Sequence, residues 1–258
     1  MSAALQPLLL DGDDRGLLAV FHPAIGRVRA SLLICPPFLH EHAMSYRLFA
    51  MLSDALAQRG ISVLRFDYHG MGDSSGADAA FSLDGARSDA RIALEALRSR
   101  MGGVAPIVLG VRGGALAAAA LADTVPLRGL WLWQPVIDGA EYLAGLEVLD
   151  LEHRKSRRRY PNGGGERIAP GDRTLVGLPC SAALLDDLKS ARIERGAKWP
   201  PVTLLEPADG PASFPGTRRI ALATGLHEWV TRVDIDHFPP PAVRDLADRL
   251  AASPEIPR

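Results

Sequence analysis

The segment PIVLGVRGGALAAAA, residues 106 to 120, constrains this chain more than any other stretch. Its apolar start reads as a buried strand and its alanine-rich end as a helix, with a sharp glycine turn between them. A strand buried on both faces belongs to a parallel sheet covered by helices, so this one unit already favours an α/β architecture. Gly110 and Gly114 flank the turn, where neighbouring strands crowd the backbone and a side chain would collide. Arg112 stands at its centre.

The rest of the chain repeats the alternation of short apolar runs with amphipathic segments, the pattern of βα units building a mostly parallel sheet. QPLLLDG and GLLAVFHP have the brevity and spacing of an antiparallel hairpin, and RASLLICPPF is an apolar strand stopped by two prolines. SYRLFAMLSDALAQRG is helical, with Leu48, Met51, Leu52, Ala55 and Leu56 on one face and Gly60 at its end. A strand with a glycine-rich exit, ISVLRFDYHGMGDSSG, and the helix LDGARSDARIALEALRSRMGG lead to the central turn, and LRGLWLWQPV is the strand beyond it. From 137 to 199 the pattern loosens with no strong strand, and this stretch reads as a cap-like insertion over the sheet. The alternation resumes with the strand PVTLLEPADG, the helical GTRRIALATGLHEWV, the strand TRVDID and the helix PAVRDLADRLAAS. At 258 residues and 47% hydrophobic content the expectation is a single domain over 1–258.

Composition narrows the partners. A net charge of −1 supplies no pull toward nucleic acid or anionic lipid, which leaves a small molecule or a protein. The N-terminus lacks the basic start of a signal peptide and no stretch is long enough to span a bilayer. Two widely spaced cysteines, Cys35 and Cys180, suggest thiols in a reducing compartment, and the cytoplasm is the expected location. No cofactor is expected, since neither a phosphate-loop motif nor a dinucleotide fingerprint occurs, and LHEH lacks the H-E-x-x-H spacing of a metal site.

A glycine-flanked strand-turn-helix is the frame G-x-S-x-G, which holds a nucleophile in a strained conformation above a sheet. Here the frame reads Gly110-Val111-Arg112-Gly113-Gly114. With that motif in this order of elements, the chain resembles the α/β-hydrolase superfamily along nearly its whole length. CPPF with the nearby Glu41, the strand VLRFDYHGMGDSSG, and LWQPV after an arginine-bearing turn resemble, more narrowly, the type 2 hydrolases associated with the exosortase A (PEP-CTERM) system. The resemblance implies a catalytic acid after the strand that follows the insertion and a base after the last strand. Those positions are Asp209 in EPADG and His237 in DIDHF, relic or active. It also implies an association with exosortase-linked export or exopolysaccharide production.

A guanidinium stays protonated, has no lone pair for attack and cannot pass a proton to His237 as a serine does. Serine-type acyl-enzyme chemistry at Arg112 is therefore excluded. At a helix N-terminus beside the Gly113 N–H, Arg112 suits a carboxylate or phosphate. Arg112, Gly113, Pro37 and Glu41 are the candidate ligand-binding residues for an anionic or acyl small molecule. The plainer alternative is that Arg112 pairs with Asp209, Asp67 or Glu41 and fills an emptied site. Elsewhere, Cys35 reads as a small core residue, Ser74 and Ser75 as turn caps, and His40, Glu41 and His42 as loop residues near the turn. HRKSRRRYP reads as a solvated helix face or a docking surface. Three functions stay open: a nucleophile-lacking hydrolase-fold binding protein, an ester or thioester hydrolase in which Asp209 and His237 activate water, and a protein-interaction factor.

Overall fold

The computed structural model describes residues 4–12, 15–155, 173–232 and 237–257. Strands β1 (Gln6–Gly12) and β2 (Arg15–His22) open the chain as an antiparallel hairpin. β3 (Ala30–Cys35) leads to helix α1 (Leu39–Ala57), β4 (Ile61–Phe66) to α2 (Leu83–Arg100), β5 (Ile107–Val111) to α3 (Gly114–Thr124), and β6 (Gly129–Trp133) to α4 (Gly139–Lys155). A small antiparallel pair, β7 (Arg173–Leu175) and β8 (Leu178–Cys180), precedes α5 (Ala182–Ser190). β9 (Val202–Pro207), β10 (Arg218–Leu222) and α6 (Pro240–Ala251) complete the order. The main sheet runs β1-β2-β4-β3-β5-β6-β9-β10, and every pair from β4 to β10 is parallel. This is the α/β-hydrolase arrangement expected from the sequence.

Strand alternation sorts the core into two layers. Leu33, Cys35, Val108, Leu130, Leu132 and Leu204 face the layer that contains α2 and α3. Leu32, Ile34, Ile107, Leu109, Trp131 and Trp133 face the layer that contains α1 and α6. Side chains one apart on a strand point to opposite faces, so each central strand is apolar throughout. Trp131 and Trp133 are core residues, both fully buried.

Several elements differ from the sequence reading. The LHEH segment is not a loop: α1 begins at Leu39, one residue after the two prolines that follow β3. Its N-cap, Phe38, makes no side-chain cap bond, and Leu39, His40, Glu41 and His42 are all buried. Tertiary burial starts this helix where no capping residue announces it. Residues 218–222 form β10 rather than a helix, because Arg218 to Leu222 pair with Thr203 to Pro207, and a short apolar run yields to an available sheet edge. The 137–199 stretch contains two helices and two short strands in its described part. Tyr142, Leu146, Leu149, Leu175, Leu184 and Leu188 join the same core as Cys35 and Phe38. Most of the basic run 154–159, the glycines 163–165 and most of the strand expected over 231–236 lie outside the described residues.

The turn after β5 depends on missing side chains. A Cβ on Gly110 would stand 2.7 Å from both Ala115 Cα and Ala118 Cβ, and one on Gly114 would overlap the carbonyl oxygens of Pro36 and Cys35. Gly145, by contrast, lies inside α4 with nothing within 4 Å of an added Cβ. Gly114→Ala should therefore lower stability by roughly 2–3 kcal/mol through backbone overlap. Gly145→Ala should raise it by about 0.5–1 kcal/mol through helix propensity. Urea unfolding followed by circular dichroism checks both, and midpoints moving in the same direction would contradict this account.

Candidate functional site

Three neighbouring parallel strands, β3, β5 and β6, lead into residues whose backbone is held in unusual conformations. Leu39 after β3, Arg112 after β5 and Gln134 after β6 have φ of 52°, 50° and 39°. Non-glycine residues rarely occupy that region, and they persist where the surroundings over-determine them. For Arg112 the surroundings are explicit: its N–H donates to Trp133 O at 3.0 Å, and its carbonyl accepts from Ala115 N–H at 3.1 Å and Val136 N–H at 3.2 Å. The turn is thus strained and braced by three backbone hydrogen bonds, with Arg112 at its centre.

The guanidinium is not left open to a ligand on all sides. Its Nε donates to Glu41 Oε1 at 3.1 Å and its Nη1 to Gln134 O at 2.9 Å. The other Glu41 oxygen accepts from the Tyr142 hydroxyl at 3.1 Å, and the Tyr142 ring lies 5.6 Å from the Arg112 guanidinium carbon. The Glu41 side chain is 1% exposed and that of Arg112 20%. Burial first, and then the Glu41 carboxylate, raise the Tyr142 phenol well above its ordinary value, so it serves as a hydrogen-bond donor. A buried carboxylate thus has a cation and a phenol, one on each oxygen. Of the partners considered for Arg112, Glu41 is the one it takes. Asp67 is engaged elsewhere, with His42 and the Asp73 N–H.

A cavity of about 420 Å³ opens beside this cluster. Arg112, Glu41 and Tyr142 form one side, and Leu146, Leu149 and Val230 contribute apolar wall. Glu141 and Glu152 also line it, so among the described residues one guanidinium faces three carboxylates. Pro37 and Gly113 lie outside that lining. Pro37 is buried, and a Cβ on Gly113 would overlap the Phe38 ring, which sits against the turn.

Asp209 stands exposed in the loop after β9, where its carbonyl accepts from Arg219 at 3.5 Å. His237 is exposed three residues before the start of α6. Cys35 is fully buried beneath the site, and burial pushes its thiol far above its ordinary value, which removes it as a nucleophile. Ser74 and Ser75 brace a turn: the Leu18 and Gly16 N–H groups donate to their hydroxyls at 2.9 Å. Sequence reasoning missed Tyr142 and Gln134. Tyr142 had a signal, since Tyr142, Leu143, Leu146 and Leu149 recur at helical spacing within the stretch read as irregular. The Gln134 carbonyl had none.

Removing one member of a buried ion pair costs far more than replacing both, because the survivor is left uncompensated. Arg112→Ser should therefore destabilise the protein by roughly 3 kcal/mol. Glu41→Gln in the same chain should recover at least about 1 kcal/mol of that loss as coupling. A double-mutant cycle by chemical unfolding measures this, and strict additivity would show that the two side chains do not act as a pair.

A family model described as serine aminopeptidase, S33, matches residues 27–171. No curated protein matches the chain. Among solved structures it is similar to a soluble variant of monoglyceride lipase from Saccharomyces cerevisiae bound to a substrate analog. Identity is 16%, coverage 100% of this chain and 97% of that one, and the TM-score 0.63. It is similar also to Est1E from Butyrivibrio proteoclasticus, bound to ferulic acid, at 14% identity, 95% and 100% coverage and a TM-score of 0.62. The esterase domain of a Rhodothermus marinus protein matches at 16% identity, 97% coverage of each chain and a TM-score of 0.59. At such identities the structural likeness carries the fold alone. With the family model spanning more than half of its length, this chain belongs to the serine aminopeptidase S33 family of α/β-hydrolases.

Proposed function

We propose that this protein is a hydrolase-fold binding protein without serine-type chemistry, and that the cavity beside Arg112 holds an acyl ligand. The observation that carries the reading is the occupied elbow: at φ 50°, where the frame calls for a nucleophile, stands a guanidinium bonded to Glu41 and Gln134. Such a group forms no acyl-enzyme, but it donates well to a carbonyl oxygen. The cavity's charge favours a neutral carbonyl over a free carboxylate, because Glu41 already neutralises Arg112 and Glu141 and Glu152 add negative charge. Its wall of Leu146, Leu149 and Val230 suits the apolar chain of such a ligand. Neighbours named as a monoglyceride lipase and as an esterase make acyl esters the ligand class to test first. Cellular work in exosortase-linked export or exopolysaccharide production enters from the resemblance of the CPPF, VLRFDYHGMGDSSG and LWQPV segments.

The test combines labelling, turnover and binding. The protein should resist a fluorophosphonate probe and leave p-nitrophenyl octanoate unhydrolysed above background. It should bind monooctanoylglycerol, and Val148→Trp, which fills the cavity mouth from an exposed position on α4, should weaken that binding by about tenfold or more. Probe labelling of the native protein would overturn the reading. So would ester turnover abolished by His237→Ala, which would instead identify an enzyme that activates water.

A further inference from the structure

A second cavity, of about 380 Å³, lies on the other side of the first turn of α1. Successive residues of that turn divide between the two: Glu41 lines the elbow cavity and His42 lines this one. Its walls are apolar, from Leu39 and Ala43 on α1, Met71 in the loop after β4, and Leu178 and Pro179 on β8. A volume in this range suits a small molecule.

Three carboxylates face this cavity. Asp67, Asp73 and Asp78 line it, and among the described residues no lysine or arginine does. Asp67 lies deepest at 6% exposure, while Asp73 and Asp78 are exposed at the rim. Burial by itself would raise the Asp67 carboxyl, but the His42 imidazole, the Asp73 N–H and the charge of Arg65 together hold it below the usual carboxylate range. It is therefore an anion at neutral pH. Its Oδ2 accepts the Asp73 N–H at 3.0 Å and its Oδ1 stands 3.1 Å from His42 Nε2. That contact does not form a hydrogen bond, so His42 Nε2 is a buried polar atom without one. Each carboxylate oxygen retains capacity for a further donor. Arg65, whose charge acts on Asp67, does not itself line the cavity: its Nε donates to His22 Nε2 at 3.2 Å, and its guanidinium lies over the ring of Tyr46, a lining residue, at 5.0 Å.

A buried, unsatisfied imidazole, an ionised carboxylate at depth, two more at the rim and apolar walls throughout describe a complement to one kind of molecule. We propose that this cavity is a second ligand site, selective for a cationic amphiphile: an ammonium head beside Asp67 and His42 and an apolar body against Met71, Leu178 and Pro179. The site is independent of the acyl-binding reading of the elbow cavity.

Titration calorimetry with octylammonium, octanol and octanoate tests this. Octylammonium should bind at one site per chain, more tightly than octanol by about tenfold, and octanoate more weakly still. Ala43→Trp fills the cavity from an exposed helix position and should weaken octylammonium binding by about tenfold or more, whereas Val148→Trp in the elbow cavity should leave it unchanged. The paired change Asp73→Asn and Asp78→Asn, at exposed positions that spare the buried Asp67, should weaken it by about threefold. Equal affinity for octanol and octylammonium would overturn the proposal. Loss of binding in Val148→Trp but not in Ala43→Trp would also overturn it, by assigning the amine to the elbow.

Discussion

The structure depends on the close approach of the α3 N-terminus to the end of β3, where the absent side chain of Gly114 admits the carbonyls of Cys35 and Pro36. That approach holds the chain between β5 and α3 to a turn so tight that Arg112 takes a left-handed conformation. The same approach brings the exit of β3, and with it the first turn of α1, against the elbow. Once those two segments touch, a carboxylate on α1 and a guanidinium on the turn are neighbours, and little else determines the chemistry of the site.

The neighbours chosen are Glu41 and Arg112, and their burial explains why neither is dispensable alone. A carboxylate at 1% exposure tolerates its charge only with donors on its oxygens, and Arg112 and Tyr142 supply one each. The arrangement couples three elements, α1, the elbow and α4, through a single carboxylate. It also converts the permanent cation at the elbow into half of a neutral pair. The cavity beside that pair is lined also by Glu141 and Glu152 and by the apolar side chains of Leu146, Leu149 and Val230.

The sheet was legible because its signals are local. Apolar runs in ASLLIC, ISVLRF, IVLGV and GLWLW became β3 to β6, each buried on both faces as continuous apolarity requires. Where local signals were ambiguous, nonlocal contacts decided. The start of α1 carries no capping residue, so its first turn reads as loop until burial against the rest of the fold is known. RRIAL fits a helical period, yet β9 offers it a free edge and it pairs there as β10. Tyr142 is the instructive omission, because a helical stripe runs through residues 142 to 149 within a segment whose charge made it look irregular.

By itself the sequence determined that an arginine stands at the centre of a glycine-flanked strand-to-helix turn whose frame resembles G-x-S-x-G. It thereby excluded serine-type covalent chemistry at Arg112 itself. Those facts are properties of one continuous segment, residues 106 to 120. Only the tertiary structure decided which carboxylate Arg112 meets. Glu41 lies 71 residues away and Tyr142 lies 101 from Glu41, and their meeting follows from β3 lying beside β5 in the sheet. Charge pairing acts over a few ångströms of space whatever the separation along the chain, so the sequence could name the candidates for this site but not choose between them.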